Sequence, residues 1–303
     1  MTDIDSQSAA KRPDFFCIGM QKAGTTWLHE NLKPSEGFFS SLIKEPHYFD
    51  NRWVWPQLSK GGFAFFLEHS QMEIQRQLLE SIDWSFRDLR RYLEDDPEAT
   101  HFQLAWITAL INARNDILTE KWYEHQFSLC PENRKTGDFT PDYYLLPEDG
   151  VRELFRRYGS AKFLILIRDP VERDWSALRM QCASDDVDQL LRTYDSPEYV
   201  MRSDYQGIIR RWNKVVPRDQ FRTFFFDEIS RSPVDLLNSI SGFLEVPAPI
   251  AGWVHATSKV HQGRSAIPPP RVLEAMTFRN RESLSFLADE FGGYAVEWKA
   301  RYS

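Results

Sequence analysis

Lys22, Thr25 and Thr26 stand in the stretch Gly19-Met20-Gln21-Lys22-Ala23-Gly24-Thr25-Thr26-Trp27-Leu28, where two glycines bracket small and polar residues. Such a stretch can hold an anion. The apolar run Phe15 to Ile18 before it has the length of one buried strand, and the spacing Trp27, Leu28, Leu32 suits the first turns of a helix. At a helix N-terminus the backbone N–H groups point outward unpaired, and the macrodipole adds partial positive charge. Glycine lets the backbone approach the anion. Lys22 adds a full charge, Thr25 and Thr26 add hydroxyl donors, and Gln21 and Ala23 complete the loop. The plainer alternative is a tight strand–helix turn with a solvated lysine.

The loop is not that of a nucleotide triphosphatase. That motif, G-x-x-x-x-G-K-[ST], places lysine directly after the second glycine. Thr25 stands there, and the lysine has moved inside the loop. Two more clusters carry charge. Lys44-Glu45-Pro46-His47-Tyr48-Phe49-Asp50 follows a short strand expected over Phe38 to Ile43. At the carboxyl edge of an open α/β sheet, where ligands sit, a carboxylate can serve as general base. A solvated turn with one Lys–Glu pair is the alternative. Arg168-Asp169-Pro170 ends the continuous apolar run Ala161 to Ile167, the kind buried on both faces of a parallel sheet. A helix over Val171 to Gln181 follows, with Pro170 near its first turn, and carries Arg173 and Ser176. This is a second candidate anion site, because the planar fork of arginine suits phosphate. A surface arginine paired with Asp169 or Asp174 is the alternative.

The elements that must position these clusters follow from patterning. A chain of 303 residues, 42% hydrophobic and 27% charged, suits one large domain or a domain with an insertion. A net charge of −7 argues against a nucleic-acid partner. Cys17, Cys130 and Cys182 have neither disulfide nor metal-ligand spacing, so no metal site is expected. Residues 1–13 are polar and carry no apolar signal-peptide core, and Phe163 to Ile167 is too short to span a bilayer. The expectation is a cytoplasmic protein with a disordered tail at 1–13 and a single domain over 14–303. Helical spacing at Phe63–Leu93 and His101–Leu118 predicts a helical insertion at about 51–118, whose aromatics read as core. Helices are also expected at Trp122–Phe127, Gly150–Tyr158, Gln206–Val215 and Pro233–Leu244, with one or two over Val272–Phe291. Phe221 to Phe226 reads as another strand, and the loop His255 to Pro270 carries Arg264. The fold class is α/β, a central parallel sheet of about four or five strands with helices on both faces.

Together these pieces resemble the sulfotransferases that use 3′-phosphoadenosine 5′-phosphosulfate (PAPS). Gln21 to Leu28 is similar to the family's 5′-phosphosulfate loop, and Ile167 to Ser176 to its 3′-phosphate motif, R-[ND]-P-x-[ED]-R-x-x-S. Lys44 to Asp50 is similar to K-E-x-H-[FY]-F-D of the heparan-sulfate-type branch. Trp122 to Phe127 and Gly137 to Pro141 resemble that branch's W-Y-x-x-x-F and G-E-x-[TS]-P. Asp138 replaces the usual glutamate, Phe139 replaces a commonly basic residue, and the stretch between Asp50 and Trp122 is longer than in compact members; these departures are expected to bear on the acceptor side. The resemblance implies a P-loop-like fold and direct sulfuryl transfer from PAPS, leaving 3′-phosphoadenosine 5′-phosphate (PAP), without a metal. It implies Lys22 at the leaving phosphate, with Gln21, Ala23, Gly24, Thr25, Thr26 and Trp27 around the donor, Trp27 near the adenine or in the core. It implies Arg168 and Ser176 on the 3′-phosphate, with Arg264 closing over it. Glu45 is the implied base, Lys44 steadies the sulfuryl oxygens, and His47 is the second candidate base. The acceptor is a small-molecule, lipid-like or carbohydrate hydroxyl or amine. A homodimer is compatible with these residues. A small-molecule kinase would need lysine at position 25; a non-catalytic nucleotide-binding scaffold is the other alternative.

Overall fold

In this computed structural model the described residues are 11–58, 62–92, 97–258 and 267–303. Five parallel strands form one sheet in the order β2-β3-β1-β4-β5: β1 is Phe15–Gly19, β2 Phe38–Ser40, β3 Lys135–Asp138, β4 Lys162–Ile167 and β5 Phe221–Phe225. β1 lies at the centre and is buried along its whole length. Its register against β4 pairs Phe16 with Phe163 and Cys17 with Leu164, then slips so that Gly19 meets Ile165. Phe16 and Phe163 stack with ring centroids 5.1 Å apart. Continuous apolar strands covered on both faces are what a parallel sheet requires, since each crossover lays a helix on a face.

The chain leaves β1 toward β2 and β3 on one side and reaches β4 and β5 on the other. The loops after β1 and β4 therefore diverge, and a crevice opens at the carboxyl edge between them. Residues 20–24 and 168–169 lie there.

Between β2 and β3 the chain is helical, with helices at Tyr48–Trp53, Trp55–Leu58, Gly62–Tyr92, Pro97–Asn112 and Glu120–His125. β2 ends at Ser40, short of the expected Ile43. The backbone turns away there: Leu42 N donates to Gln126 O, and Ser41 Oγ donates to Ile43 O. Two helices at Val187–Tyr194 and Pro197–Ser203 were not anticipated. The C-terminal segment forms two helices, Pro270–Phe291 and Gly293–Arg301, because Gly292 and Gly293 take φ of 64° and 47°. None of the described helices is long and apolar enough to cross a membrane.

Candidate active site

The anion loop is built as its glycines require. Gly24 caps the helix Thr25–Leu32 with φ 96°, and no side chain caps that end. A Cβ on Gly24 would lie 2.4 Å from Ile229 Cδ1 and 3.3 Å from Phe226. Gly24→Ala is therefore expected to cost at least about 1–2 kcal/mol from the left-handed backbone alone, with the clash in addition. A lowered melting temperature checks this, and an unchanged one would contradict the geometry.

Lys22 also takes a left-handed φ, 69°, and so does His47, at 52°. Non-glycine residues adopt this region only when their surroundings enforce it. Two side chains singled out for chemistry are thus presented from strained turns. Among the described residues no carboxylate pairs with Lys22; its Nζ lies 3.8 Å from Met180 Sδ. Burial and the positive charge of Arg168 together lower its pKa. Two cations held together, of which Lys22 has no carboxylate partner among the described residues, mark a place for an anion.

Arg168 leaves the end of β4. One of its terminal nitrogens donates to Lys22 O at 3.3 Å and the other to Glu172 Oε2 at 3.2 Å, and its guanidinium lies 4.4 Å from the centre of the Phe226 ring. Glu172 is in turn paired with Arg301. Ser176 is half-buried on the same helix, Pro170–Gln181. Glu172, Ser176 and Met180 recur every four residues and so share one helical face. The contacts of Glu172 with Arg168 and of Met180 with Lys22 bracket Ser176 on the crevice side. Arg173 does not face the crevice: it is fully buried against Asp174. Gln21 Oε1 and Arg168 Nε are buried without a partner among the described residues.

The third cluster joins the first. Lys44 Nζ donates to Thr26 Oγ1 at 2.8 Å and to Glu45 Oε1 at 2.5 Å. Glu45 Oε2 lies 3.6 Å from His47 Nε2, and His47 Nδ1 meets Asp50 Oδ2 at 2.7 Å. Trp55 Nε1 donates to the same Asp50 oxygen at 2.7 Å. Burial works against the His47 charge, but the charge and hydrogen bond of Asp50, with Glu45, outweigh it and raise the pKa well above the usual value. Burial likewise works to raise Glu45, yet His47 and Lys44 hold its pKa down to about 2. At neutral pH the imidazole is a cation and the carboxylate is ionised, so Glu45 is the available proton acceptor.

Asp50, Trp55, Asp142 and Arg202 were given no role from the sequence. Arg202 bonds Asp142 at 2.6 Å, lies 5.3 Å from the centre of the Trp55 ring, and donates to Tyr144 OH at 3.3 Å. His47, Asp50 and Asp142 bring possible metal-ligating atoms within 4.8 Å of one another. Protonated His47 and Arg202 already neutralise those carboxylates. Asp50 was visible as the last residue of the Lys44–Asp50 stretch; the others carry no local signal.

Two expectations change. Asp138 and Phe139 do not face an acceptor. Asp138 is fully buried, accepting from Tyr123 OH at 2.8 Å and from Thr140 Oγ1 at 2.7 Å, and burial raises its pKa to about 6. Phe139 packs edge-on against Phe15 at 5.5 Å and His29 at 4.8 Å. Trp27 is buried, with its indole N–H donated to Ala256 O at 3.0 Å, which ties the loop after Leu244 to the anion-loop helix. Arg264 lies outside the described residues.

A parallel α/β sheet with a glycine-bounded loop after its central strand and an arginine after the neighbouring strand is a P-loop-like fold. The chain belongs to the sulfotransferase family, whose model matches residues 13–249, and is a sulfotransferase enzyme. It is similar in fold to a sulfotransferase from Alicyclobacillus acidocaldarius, 19% identical, with a TM-score of 0.59 over 95% of this chain and 99% of that one. The sulfotransferase domain from the curacin biosynthetic pathway is 17% identical, with a TM-score of 0.49 over 91% of this chain and 99% of that domain. No curated protein matches the chain.

Proposed function

We propose that this enzyme transfers a sulfuryl group from PAPS to a hydroxyl or amine by direct in-line displacement, with Glu45 as general base and Lys22 stabilising the leaving phosphate oxygen. The observation that carries this reading is the continuous polar run Thr26–Lys44–Glu45–His47–Asp50, which joins the anion loop to a carboxylate base. The residues fit a nucleotide with phosphates at both ends. Lys22 and Arg168 are close enough that, with burial, the charge of Arg168 lowers the pKa of Lys22, Lys22 has no carboxylate partner among the described residues, and the buried Arg168 Nε–H is an unused donor. Gln21 to Thr26 would hold the 5′ end, and Arg168 and Ser176 the 3′-phosphate. Trp27 reaches the donor through packing, not through its indole N–H.

When bound, the donor supplies a sulfuryl group already activated on a phosphate oxygen. Lys22 presents its charge where negative charge grows, and fixed charge there contributes most in the transition state. Lys44 sits between Thr26 and Glu45. As its ammonium turns toward the sulfuryl oxygens, Glu45 loses one of the two cations that depress its proton affinity. The carboxylate then becomes a better base at the moment the acceptor must lose its proton. His47 keeps Glu45 oriented and Asp50 keeps His47 charged. The acceptor is a small molecule, lipid-like or carbohydrate, and a cytoplasmic setting suits three buried free thiols.

Calorimetric titration tests the donor site. PAP is expected to bind without metal in the micromolar range. Charge-assisted hydrogen bonds contribute roughly 1.5–3 kcal/mol each, so Arg168→Ala should weaken PAP about 10- to 100-fold. The same variant should leave adenosine 5′-phosphosulfate, which lacks the 3′-phosphate, little changed. Tighter binding of ATP with Mg²⁺ than of PAP would overturn the reading in favour of a kinase.

A further inference from the structure

The 31-residue helix Gly62–Tyr92 has two apolar faces. One is spent on the core: Ile74, Leu78 and Ser85 are buried. The other is Met72, Leu79 and Phe86, exposed at 58%, 47% and 47%. These three are spaced by seven, and at 3.6 residues per turn they form one stripe, roughly 110–120° round the helix from the buried face. Scattered exposed apolar residues need no explanation, but a heptad stripe on a long surface helix does.

We propose that this stripe is a homodimer interface, in which the helix packs antiparallel against its counterpart in a second copy about a two-fold axis at Leu79. The charges select that partner. In such a pair, residues equally far before and after Leu79 face each other. Leu79 then meets Leu79 of the second copy, and Met72 meets Phe86. Arg76, three residues before, and Asp83, four residues after, lie one residue (about 1.5 Å) out of level across the seam, within reach of an ion pair, and symmetry makes this contact twice. Both lie on the same flank of the stripe, as an antiparallel two-fold requires. The other flank, with Gln75 and Ile82, has no charge to oppose. In the isolated chain Arg76 pairs within its own helix with Glu73 and Glu80, and Asp83 with Arg87. These groups are exposed, so such local pairs hold them weakly and leave them free to repartner. A parallel pairing would instead set Arg76 and Asp83 against the partner's other flank, Gln75 and Ile82, which offers no charge. The stripe is about 21 Å long, which gives an interface at the small end of stable ones and so a dimer whose population depends on concentration.

Sedimentation equilibrium of the full chain across roughly 5–200 µM reads the association directly. A monomer–dimer equilibrium is expected. Leu79→Arg, which sets two arginines against each other on the axis, should raise the dimer Kd at least tenfold with an unchanged melting temperature. Arg76→Glu and Asp83→Arg should each weaken the dimer several-fold, and the double variant should restore it, because the exchanged charges face each other again. Cys17, Cys130 and Cys182 are buried, so Leu79→Cys introduces an exposed thiol that oxidation should couple into a covalent dimer. A chain that stays monomeric throughout, or a dimer indifferent to Leu79→Arg, overturns the proposal. Failure of the charge swap to restore association overturns the antiparallel register.

Discussion

Glu45→Gln is expected to lower kcat about 10²- to 10⁴-fold, the range for loss of a positioned general base, while PAP affinity changes little. The reason lies in which groups can take a proton. His47 is close enough to compete, but it is held as a cation between Glu45 and Asp50 and has no lone pair to offer. Turnover is read as PAP released from PAPS across a panel of alcohols, phenols and amines. Should Glu45→Gln keep most of kcat while His47→Ala loses it, the two roles are reversed. The pH profile separates them further. The Glu45 pKa is depressed to about 2, so its ionisation places no acid limb between pH 5 and 7. Asp50→Asn removes the main support of the His47 charge, and the opposing effect of burial then prevails. The His47 pKa falls, Glu45 loses a cationic neighbour, and the Glu45 pKa rises toward its ordinary value. An acid limb should move upward in this variant. The stability sign is separate: a raised His47 pKa stabilises the fold fully below about pH 6.5, and that contribution is lost as pH rises through the folded value. Asp50→Asn should remove that pH dependence, which thermal melting can follow.

The parts of this molecule readable from sequence are those whose cause is local. The strand Lys162–Ile167 shows itself as an unbroken apolar run, and the helix Pro233–Leu244 as a periodic segment opened by proline. The anion loop shows itself because glycine at a left-handed helix cap is a requirement of one residue. The two missed helices did carry signals: Asp186 caps Val187–Tyr194 through Gln189 N, and Ser196–Pro197 opens the next. Their short lengths give weak periodicity. The support of Glu45 was harder to read, because its members come from distant parts of the chain. Asp142 and Arg202 are 60 residues apart, and only the packing of the Pro197–Ser203 helix against the turn after β3 brings them together. Asp138 misled for a related reason. A carboxylate in a site motif suggests ligand contact, whereas here the hydroxyls of Tyr123 and Thr140 consume it inside the core.

Lys22→Met should reduce kcat about 100- to 1,000-fold, the loss seen when one fixed charge-stabilising donor is removed, and should weaken PAP by much less. The argument rests on what surrounds the ammonium. A lysine paired with a carboxylate would have to break that pair before serving a ligand. Lys22 has no such pair among the described residues, and Arg168 and burial both lower its pKa. Its cationic form is therefore destabilised in the free enzyme and is relieved when negative charge arrives. That relief grows as the leaving oxygen develops charge, so the effect falls on the transition state more than on binding. Arg168 differs: its guanidinium rests on Phe226 and is braced by Glu172, so its contribution is uniform binding. The two variants should accordingly split. Arg168→Ala should raise the KM for PAPS with a modest fall in kcat, and Lys22→Met should lower kcat with a modest change in KM. Lys22→Arg should not restore the rate, since a planar, delocalised fork does not place a compact charge at the same point beside Met180. If Lys22→Met affected only KM, the lysine would be a docking charge, and stabilisation of the leaving group would have to come from the backbone amides of the Thr25–Leu32 helix.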